Sequence, residues 1–141
     1  MRIAERKDPS VTVTAMANLA IKVIDVDAAA AWYSAHGFEV RDRMCWNGIE
    51  RADVFLGPVQ ITLFDRAIYE TDAYSVGDEG FLHPALFCDG LDAQLAGHQV
   101  VYGPEVVTGP FGRRRIAFVE APGGIHLEFM EQLSDNGDDD A

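Results

Sequence analysis

Two short segments of the chain carry polar side chains at every second position. In the first segment Gln60 and Thr62 alternate with apolar residues, and in the second His126 and Glu128 do the same. Strand side chains have a period of two, so each polar pair would share one face of a sheet. If that face lines a partly apolar cavity, a carboxylate and an imidazole there can exchange protons near neutral pH. The alternative is a polar sheet surface that faces solvent.

His83 opens an apolar run that continues to Cys88 and predicts a strand. A lone histidine on a strand is commonly a core residue that donates to a backbone carbonyl. His83 and Glu128 together also offer the nitrogen and oxygen donors that divalent Zn, Fe, Ni or Mn accept. The sequence leaves both roles open for His83.

Aromatic and basic residues near turns are candidate ligand contacts. Trp46 precedes Asn47-Gly48, and Phe111 lies in a glycine-rich loop, so both could stack on a planar ligand at a cavity mouth. The run 113–115 is Arg-Arg-Arg and could hold a carboxylate or phosphate. We favour the interpretation that this run is a solvated strand.

The elements that position these residues follow from periodicity and turn residues. A first strand precedes a helix that Asp27 caps and Gly37 ends, and Asp92 caps a second, shorter helix. Gly57-Pro58 and 122–124 are the turns before the last strand of each half. The predicted strands are 19–24, 38–44, 52–56, 59–64, 83–88, 100–102, 114–120 and 125–130.

The two halves match each other at an offset of about 65 residues, which indicates an internal duplication. The matching pairs are 18–23 with 83–88, 26–28 with 91–93, and 58–65 with 124–131. The sequence therefore predicts an α+β domain of two βαβββ repeats, which must close on a shared cavity because each half is too small to fold alone. The predicted boundaries are an N-terminal tail 1–9, a domain 10–134 with repeat one 16–66, linker 67–80 and repeat two 81–133, and an acidic disordered tail 135–141.

Composition excludes some classes of function. The net charge is −12, of which residues 135–141 carry −4 and residues 1–9 carry +1, so the body carries −9. A domain with this charge would repel the phosphates of nucleic acid, so nucleic acid is not the expected ligand. The charge is compatible with a cationic or neutral ligand, and the alternative is that it serves solubility alone. Two cysteines, Cys45 and Cys88, indicate buried thiols rather than a disulfide framework. With no membrane-length apolar run and no visible signal peptide, we expect a cytoplasmic protein.

The sequence resembles the vicinal oxygen chelate superfamily of glyoxalases, extradiol dioxygenases and bleomycin-resistance proteins. The resemblance rests on 18–27, on Ala31-Trp32-Tyr33 with Gly37-Phe38, on 83–92, on 115–118 and on 122–129. It spans about residues 16–133 and implies a glyoxalase-like fold. It also implies a homodimer, and we expect pairing because this fold exposes sheet edges.

The resemblance implies four cavity positions that hold a metal in many members of the superfamily. These positions here are Asn18, Thr62, His83 and Glu128. The second half keeps the expected histidine and glutamate, whereas the first half has an amide and a hydroxyl. His83, Glu128 and Asn18 would therefore hold a divalent metal only weakly.

Two functions from different classes fit this pattern. The favoured one is a metal-free protein that sequesters an aromatic or cationic small molecule, as bleomycin-resistance proteins do, with Trp46, Phe111, Gln60, Thr62 and His126 as contacts. The alternative is a lyase, isomerase or dioxygenase in which Glu128 and His83 are catalytic, with or without a metal. The fold hosts both classes and does not choose between them.

Overall fold

The chain forms a sheet of eight strands with two helices on one of its faces. The computed structural model describes residues 13–69 and 77–134. The elements are β1 (Val13–Lys22), α1 (Val26–Ala35), β2 (Glu39–Trp46), β3 (Ile49–Leu56), β4 (Val59–Phe64), β5 (Gly80–Cys88), α2 (Leu91–Leu95), β6 (Val100–Gly109), β7 (Gly112–Ala121) and β8 (Ile125–Gln132). The predicted α+β class and the βαβββ order of both halves are confirmed.

The strand order reproduces the predicted duplication. The sheet runs β2-β3-β4-β1-β5-β8-β7-β6, so the halves meet where β1 pairs antiparallel with β5 in the same chain. Within each half the first and last strands are parallel, and Ala20 lies opposite Thr62 as Ala85 lies opposite Glu128. The first and last strands of both halves are therefore central, and their side chains are those best placed to share a site.

The two faces of the sheet have different roles. On one face α1 packs on β3 and β4 through Val26, Ala30, Val54 and Leu63, and α2 packs in the same way on the second half. Side chains along a strand alternate between the two faces of the sheet. Asp53, Thr62 and Glu128 therefore lie on the other face, because each is next to an apolar residue that points towards the helices. Burial of the helix faces stabilises the sheet and leaves its opposite face free for a cavity.

Three local expectations were wrong. Asp25, not Asp27, caps α1, because its side chain accepts from the backbone nitrogen of Ala28 at 3.0 Å. Gly90 caps α2 without a side-chain bond, and Asp92 instead pairs with an arginine of β7. Cys45 is exposed on the second strand, whereas Cys88 is buried as expected.

The strand β6 is much longer than the three residues predicted. It continues through Gly103-Pro104 to Gly109, and proline and glycine are both weak strand formers. A proline is tolerated there because β6 is an edge strand, where a missing N–H faces no partner. Gly103 also allows a close approach, since a Cβ atom there would lie 2.7 Å from the carbonyl oxygen of Ile116.

Several sequence expectations lie outside the described residues. They are the N-terminal tail 1–9, residues 70–76 of the linker 67–80 and the acidic tail 135–141. Neither helix in the described part of the chain has the length and apolar character that a membrane crossing needs.

Candidate functional site

A small, partly open cavity lies on the sheet face opposite the helices, between the two halves. Its volume is about 20 Å³, room for about one water molecule. Both halves line it, and the lining residues include Asn18, Trp46, Arg51, Phe64, Tyr69, His83, Phe111, Arg114 and Glu128. The wall is therefore partly aromatic and partly polar, and its charged groups come from β3, β7 and β8.

The second half contributes a buried histidine and glutamate in contact. His83 Nε2 lies 3.2 Å from Glu128 Oε1, and the two side chains are 3% and 4% exposed. His83 also has the ring of Phe118 edge-on at 4.8 Å, which fixes the imidazole plane. The other carboxylate oxygen, Glu128 Oε2, is buried and has no hydrogen-bond partner among the described residues. A buried carboxylate oxygen without a donor is costly, so this atom is a candidate for direct contact with a ligand.

The first half contributes a chain of hydrogen bonds instead. Asn18 Nδ2 donates to Thr62 Oγ1 at 2.8 Å, and the Thr62 hydroxyl donates to Asp53 Oδ1 at 2.7 Å. Arg51 Nη2 donates to the same carboxylate oxygen at 2.6 Å. All four residues are buried. Such a network resists rearrangement, because removal of any member leaves a buried polar group without its partner.

This hydrogen-bond network determines which side-chain atom of Asn18 has no hydrogen-bond partner among the described residues. The Thr62 hydroxyl gives its proton to Asp53, so it can only accept from the Asn18 amide nitrogen. Asn18 Oδ1 is consequently left buried without a donor among the described residues. Asn18 and Glu128 thus each present one free oxygen in the cavity wall.

Two guanidinium groups also line the cavity. Arg51 is paired with Asp53, packs over the Phe64 ring at 5.2 Å, and has a buried Nε with no partner in the described chain. Arg114 is 5% exposed, and within the described residues it donates only to weak acceptors, the Met130 sulfur at 3.1 Å and the Gly112 carbonyl at 3.3 Å.

Tyr69 covers the second half of the cavity. Its ring centroid lies 6.1 Å from that of His83 and 4.9 Å from that of Phe118. Burial, and then the charge of Glu128, raise the pKa of the Tyr69 phenol far above its usual value. The phenol therefore stays protonated and offers an O–H group to the cavity.

The structure places the predicted site residues in three groups. Asn18, His83, Glu128, Trp46 and Phe111 line the cavity, and both aromatic rings are half-buried.

Thr62 is fully buried behind Asn18 and contacts it. Gln60 and His126 are half-buried and lie outside the cavity lining. They are nearer the ends of their strands, and the shared face extends beyond the cavity there.

Sequence reasoning missed four cavity residues or their partners: Arg51, Asp53, Tyr69 and Arg114. The signal for Arg51 and Asp53 was present, since they alternate with buried Ala52 and Val54 on β3. Arg114 was expected in a solvated run, but it shares its strand face with buried Ile116 and Phe118.

The residues present do not fit a tightly held divalent metal. Among the described residues no three His, Cys, Asp or Glu side chains come together. His83, Glu128 and Asn18 would be the protein ligands, and Thr62 is unavailable because its hydroxyl is already bonded on both sides. Two guanidinium groups line the same small space and oppose a second cation.

Comparison with known proteins gives structural relatives only. No family model matches the sequence, and no curated protein matches it. The solved structures that are similar include methylmalonyl-CoA epimerase from Mycobacterium tuberculosis, with a TM-score of 0.66 and 26% identity over 86% of this chain and 90% of that one.

Two further structures are similar. A Streptomyces coelicolor methylmalonyl-CoA epimerase variant in complex with 2-nitronate-propionyl-CoA has a TM-score of 0.63 and 25% identity, covering 87% of this chain and 100% of that one. A glyoxalase/bleomycin resistance protein/dioxygenase superfamily member from Vibrio splendidus has a TM-score of 0.57 and 13% identity, covering 86% and 100%. The chain therefore has the vicinal oxygen chelate fold, and the resemblance seen in its sequence is confirmed.

Proposed function

We propose that the cavity is an acid–base active site in which Glu128 moves a proton on a carbon next to a carbonyl group. The observation that carries this proposal is the buried carboxylate with one oxygen held by His83 at 3.2 Å and the other without a partner in the described chain. A carboxylate held in one orientation with a free oxygen can act as a base towards a group bound beside it.

Removal of such a proton leaves negative charge on the carbonyl oxygen, and the cavity has donors to receive it. Arg51 Nε–H has no partner among residues 13–69 and 77–134, and Tyr69 keeps its phenolic proton. Fixed donors in a space with little water stabilise a developing oxyanion more strongly than bulk water does. In this proposal Glu128 takes the proton, holds it while the charge rests on oxygen, and returns it to carbon.

The similar solved structures support an acyl thioester as the substrate class. Two of them are epimerases of methylmalonyl-CoA, and one is bound to an acyl-CoA analogue. The cavity has room for about one water molecule, so only the reacting group could enter it, and only after displacement of side chains. Half-buried Trp46 and Phe111 would then contact the remainder of the ligand.

Deuterium exchange in heavy water tests this proposal. A panel of short acyl-CoA thioesters is incubated with protein, and mass spectrometry measures deuterium gained at the carbon next to the carbonyl. We expect Glu128→Gln to lower the exchange rate by at least about 100-fold, because an amide is not a base. Glu120→Gln, an exposed acid on β7, is the matched control and should leave the rate unchanged.

A second candidate is a binding protein without chemistry. It is favoured by the rings of Trp46, Phe64, Tyr69 and Phe111 in the cavity wall and by the closed network in the first half. If every thioester in the panel binds without deuterium gain, or if Glu128→Gln exchanges as fast as the parent, the acid–base proposal is wrong. The binding proposal then takes its place.

A further inference from the structure

Arg114 is a buried cation without an anionic partner in the described chain. It is 5% exposed, and no carboxylate oxygen of the described residues lies within ion-pair distance of its nitrogens. Its contacts are a thioether sulfur, a backbone carbonyl and the face of the Phe111 ring, whose centroid lies 5.6 Å away. None of these replaces the hydration that a guanidinium loses on burial, so the arrangement destabilises the fold unless an anion binds.

The surroundings of Arg114 show where that anion would sit. Arg114 and Glu128 line the same cavity, and Glu128 is already held by His83. Arg51 lines it as well, but Asp53 behind it balances its charge. Arg114 is thus the one cation of the cavity wall whose charge is not matched by a contacting carboxylate within the described residues.

From these observations we infer that Arg114 binds a carboxylate of the ligand, so that the ligand is an anion at the end that enters the cavity. This rests on the proposed site and names its substrate class as acyl compounds that also carry a carboxylate. A planar guanidinium can bind a carboxylate through two parallel hydrogen bonds, which would orient the neighbouring carbon towards Glu128. The inference departs from the cationic or neutral ligand that the body charge of −9 suggested, because the charge of the cavity differs from that of the whole surface.

The adjacent arginines provide a matched comparison. Arg115 lies on the opposite face of β7 and pairs with Asp92 at 2.8 Å, where its side chain is 30% exposed. Arg114→Met and Arg115→Met therefore remove the same group from neighbouring positions. Only the first should change the cavity.

The experiment compares propionate with propionamide, which has nearly the same shape but no charge. NMR titration at constant ionic strength gives the dissociation constants, and neither probe requires turnover. We expect the parent protein to bind propionate at least about tenfold more tightly than propionamide. Arg114→Met should abolish that preference and leave propionamide binding unchanged, whereas Arg115→Met should retain it. Glu128→Gln should bind propionate several-fold more tightly, because a like charge is removed.

Melting temperature separates this role from a structural one. Arg114→Met should melt at or above the temperature of the parent, since an unpaired buried charge is lost. The inference is overturned if the parent binds the two probes equally or binds neither, or if Arg115→Met loses the preference too. A lower melting temperature with unchanged propionate affinity also overturns it. These titrations need no proton transfer. Their result is therefore independent of the result of the exchange test on Glu128.

Discussion

At the scale of single residues, the two cysteines differ in burial, although the sequence alone predicted that both were buried. Cys45 is exposed, and its hydrogen bond to Glu50 raises the pKa of its thiol. Cys88 is buried under α2, and burial raises the pKa of its thiol to about 11. The thiolate is the reactive form, so the two sites should differ strongly in reactivity.

We predict that iodoacetamide at pH 8 modifies one cysteine per folded chain, at Cys45. At that pH roughly one Cys88 thiol in a thousand would be ionised, and it is also shielded from reagent. Mass spectrometry of the labelled peptides measures this, and guanidinium-unfolded protein, which should take two labels, is the control. Glu50→Gln should accelerate labelling of Cys45, and equal labelling of both cysteines in the folded chain would contradict the prediction.

The site residues show how far a sequence can be interpreted residue by residue. The structure brings Asn18, His83 and Glu128 to one cavity, as the internal repeat suggested, because an offset of 65 or 66 residues preserves strand register. The role of Asn18 could not be foreseen, because it depends on the direction of the Thr62 hydroxyl bond. That direction is set by Asp53, which lies on a different strand.

At the scale of elements, Arg43 on β2 forms ion pairs that connect helix α1 with the β2–β3 hairpin. It bonds Asp27 at the start of α1 at 2.7 Å and Glu50 on β3 at 2.9 Å. Hydrogen bonds from Arg43 lower the pKa of both carboxyl groups. A lowered folded-state pKa stabilises the fold above the ordinary values of 3.8 and 4.5, and this contribution is lost as the pH falls through the folded-state values.

We predict that Arg43→Met lowers the melting temperature at pH 7 by a modest amount, and that the difference from the parent shrinks as the pH approaches 3. The Asp27 side chain is largely exposed and those of Arg43 and Glu50 are partly exposed, so solvent screens the effect. Thermal unfolding followed by circular dichroism at several pH values measures it. Arg66→Met is the control, because in the part of the chain that the structure describes Arg66 pairs only with its chain neighbour Asp65. A difference that grows on acidification would contradict this assignment.

Element types were more predictable than element ends. Alternation and the turns at Gly57-Pro58 and 122–124 were enough to predict the strands on either side. The cap of α1 was placed two residues late, because Asp25 and Asp27 are equally good capping residues and only the backbone geometry separates them. The length of β6 could not be predicted from its own residues, because its pairing with β7 rather than its composition makes it a strand.

At the scale of the whole molecule, the sheet formed by the described residues has two open edges. The strands β2 and β6 end the order, and most of their residues are exposed. Large apolar side chains are exposed as well, including Ile24 before α1 and Trp32 on α1, at 69% and 57% exposure. Open edges and apolar surface favour association of identical chains.

We therefore predict a homodimer. Light scattering after size-exclusion chromatography at micromolar concentration should give twice the chain mass of 15.5 kDa. A dilution series is the control, since a reversible dimer loses mass as concentration falls. A mass of one chain across the whole series would contradict the prediction.

The fold also places the two tryptophans of the chain in contrasting environments. Trp32 is on the surface, stacked on His36 with ring centroids 4.0 Å apart, whereas Trp46 is half-buried against the cavity, and its ring lies near Gly109. In a Trp32→Phe chain the remaining indole emits from the cavity wall alone. The emission wavelength of Trp46 and its quenching by iodide would then report how accessible the cavity wall is to solvent. The fluorescence of Trp46 is thus an intrinsic probe of the cavity that Glu128 and Arg114 line.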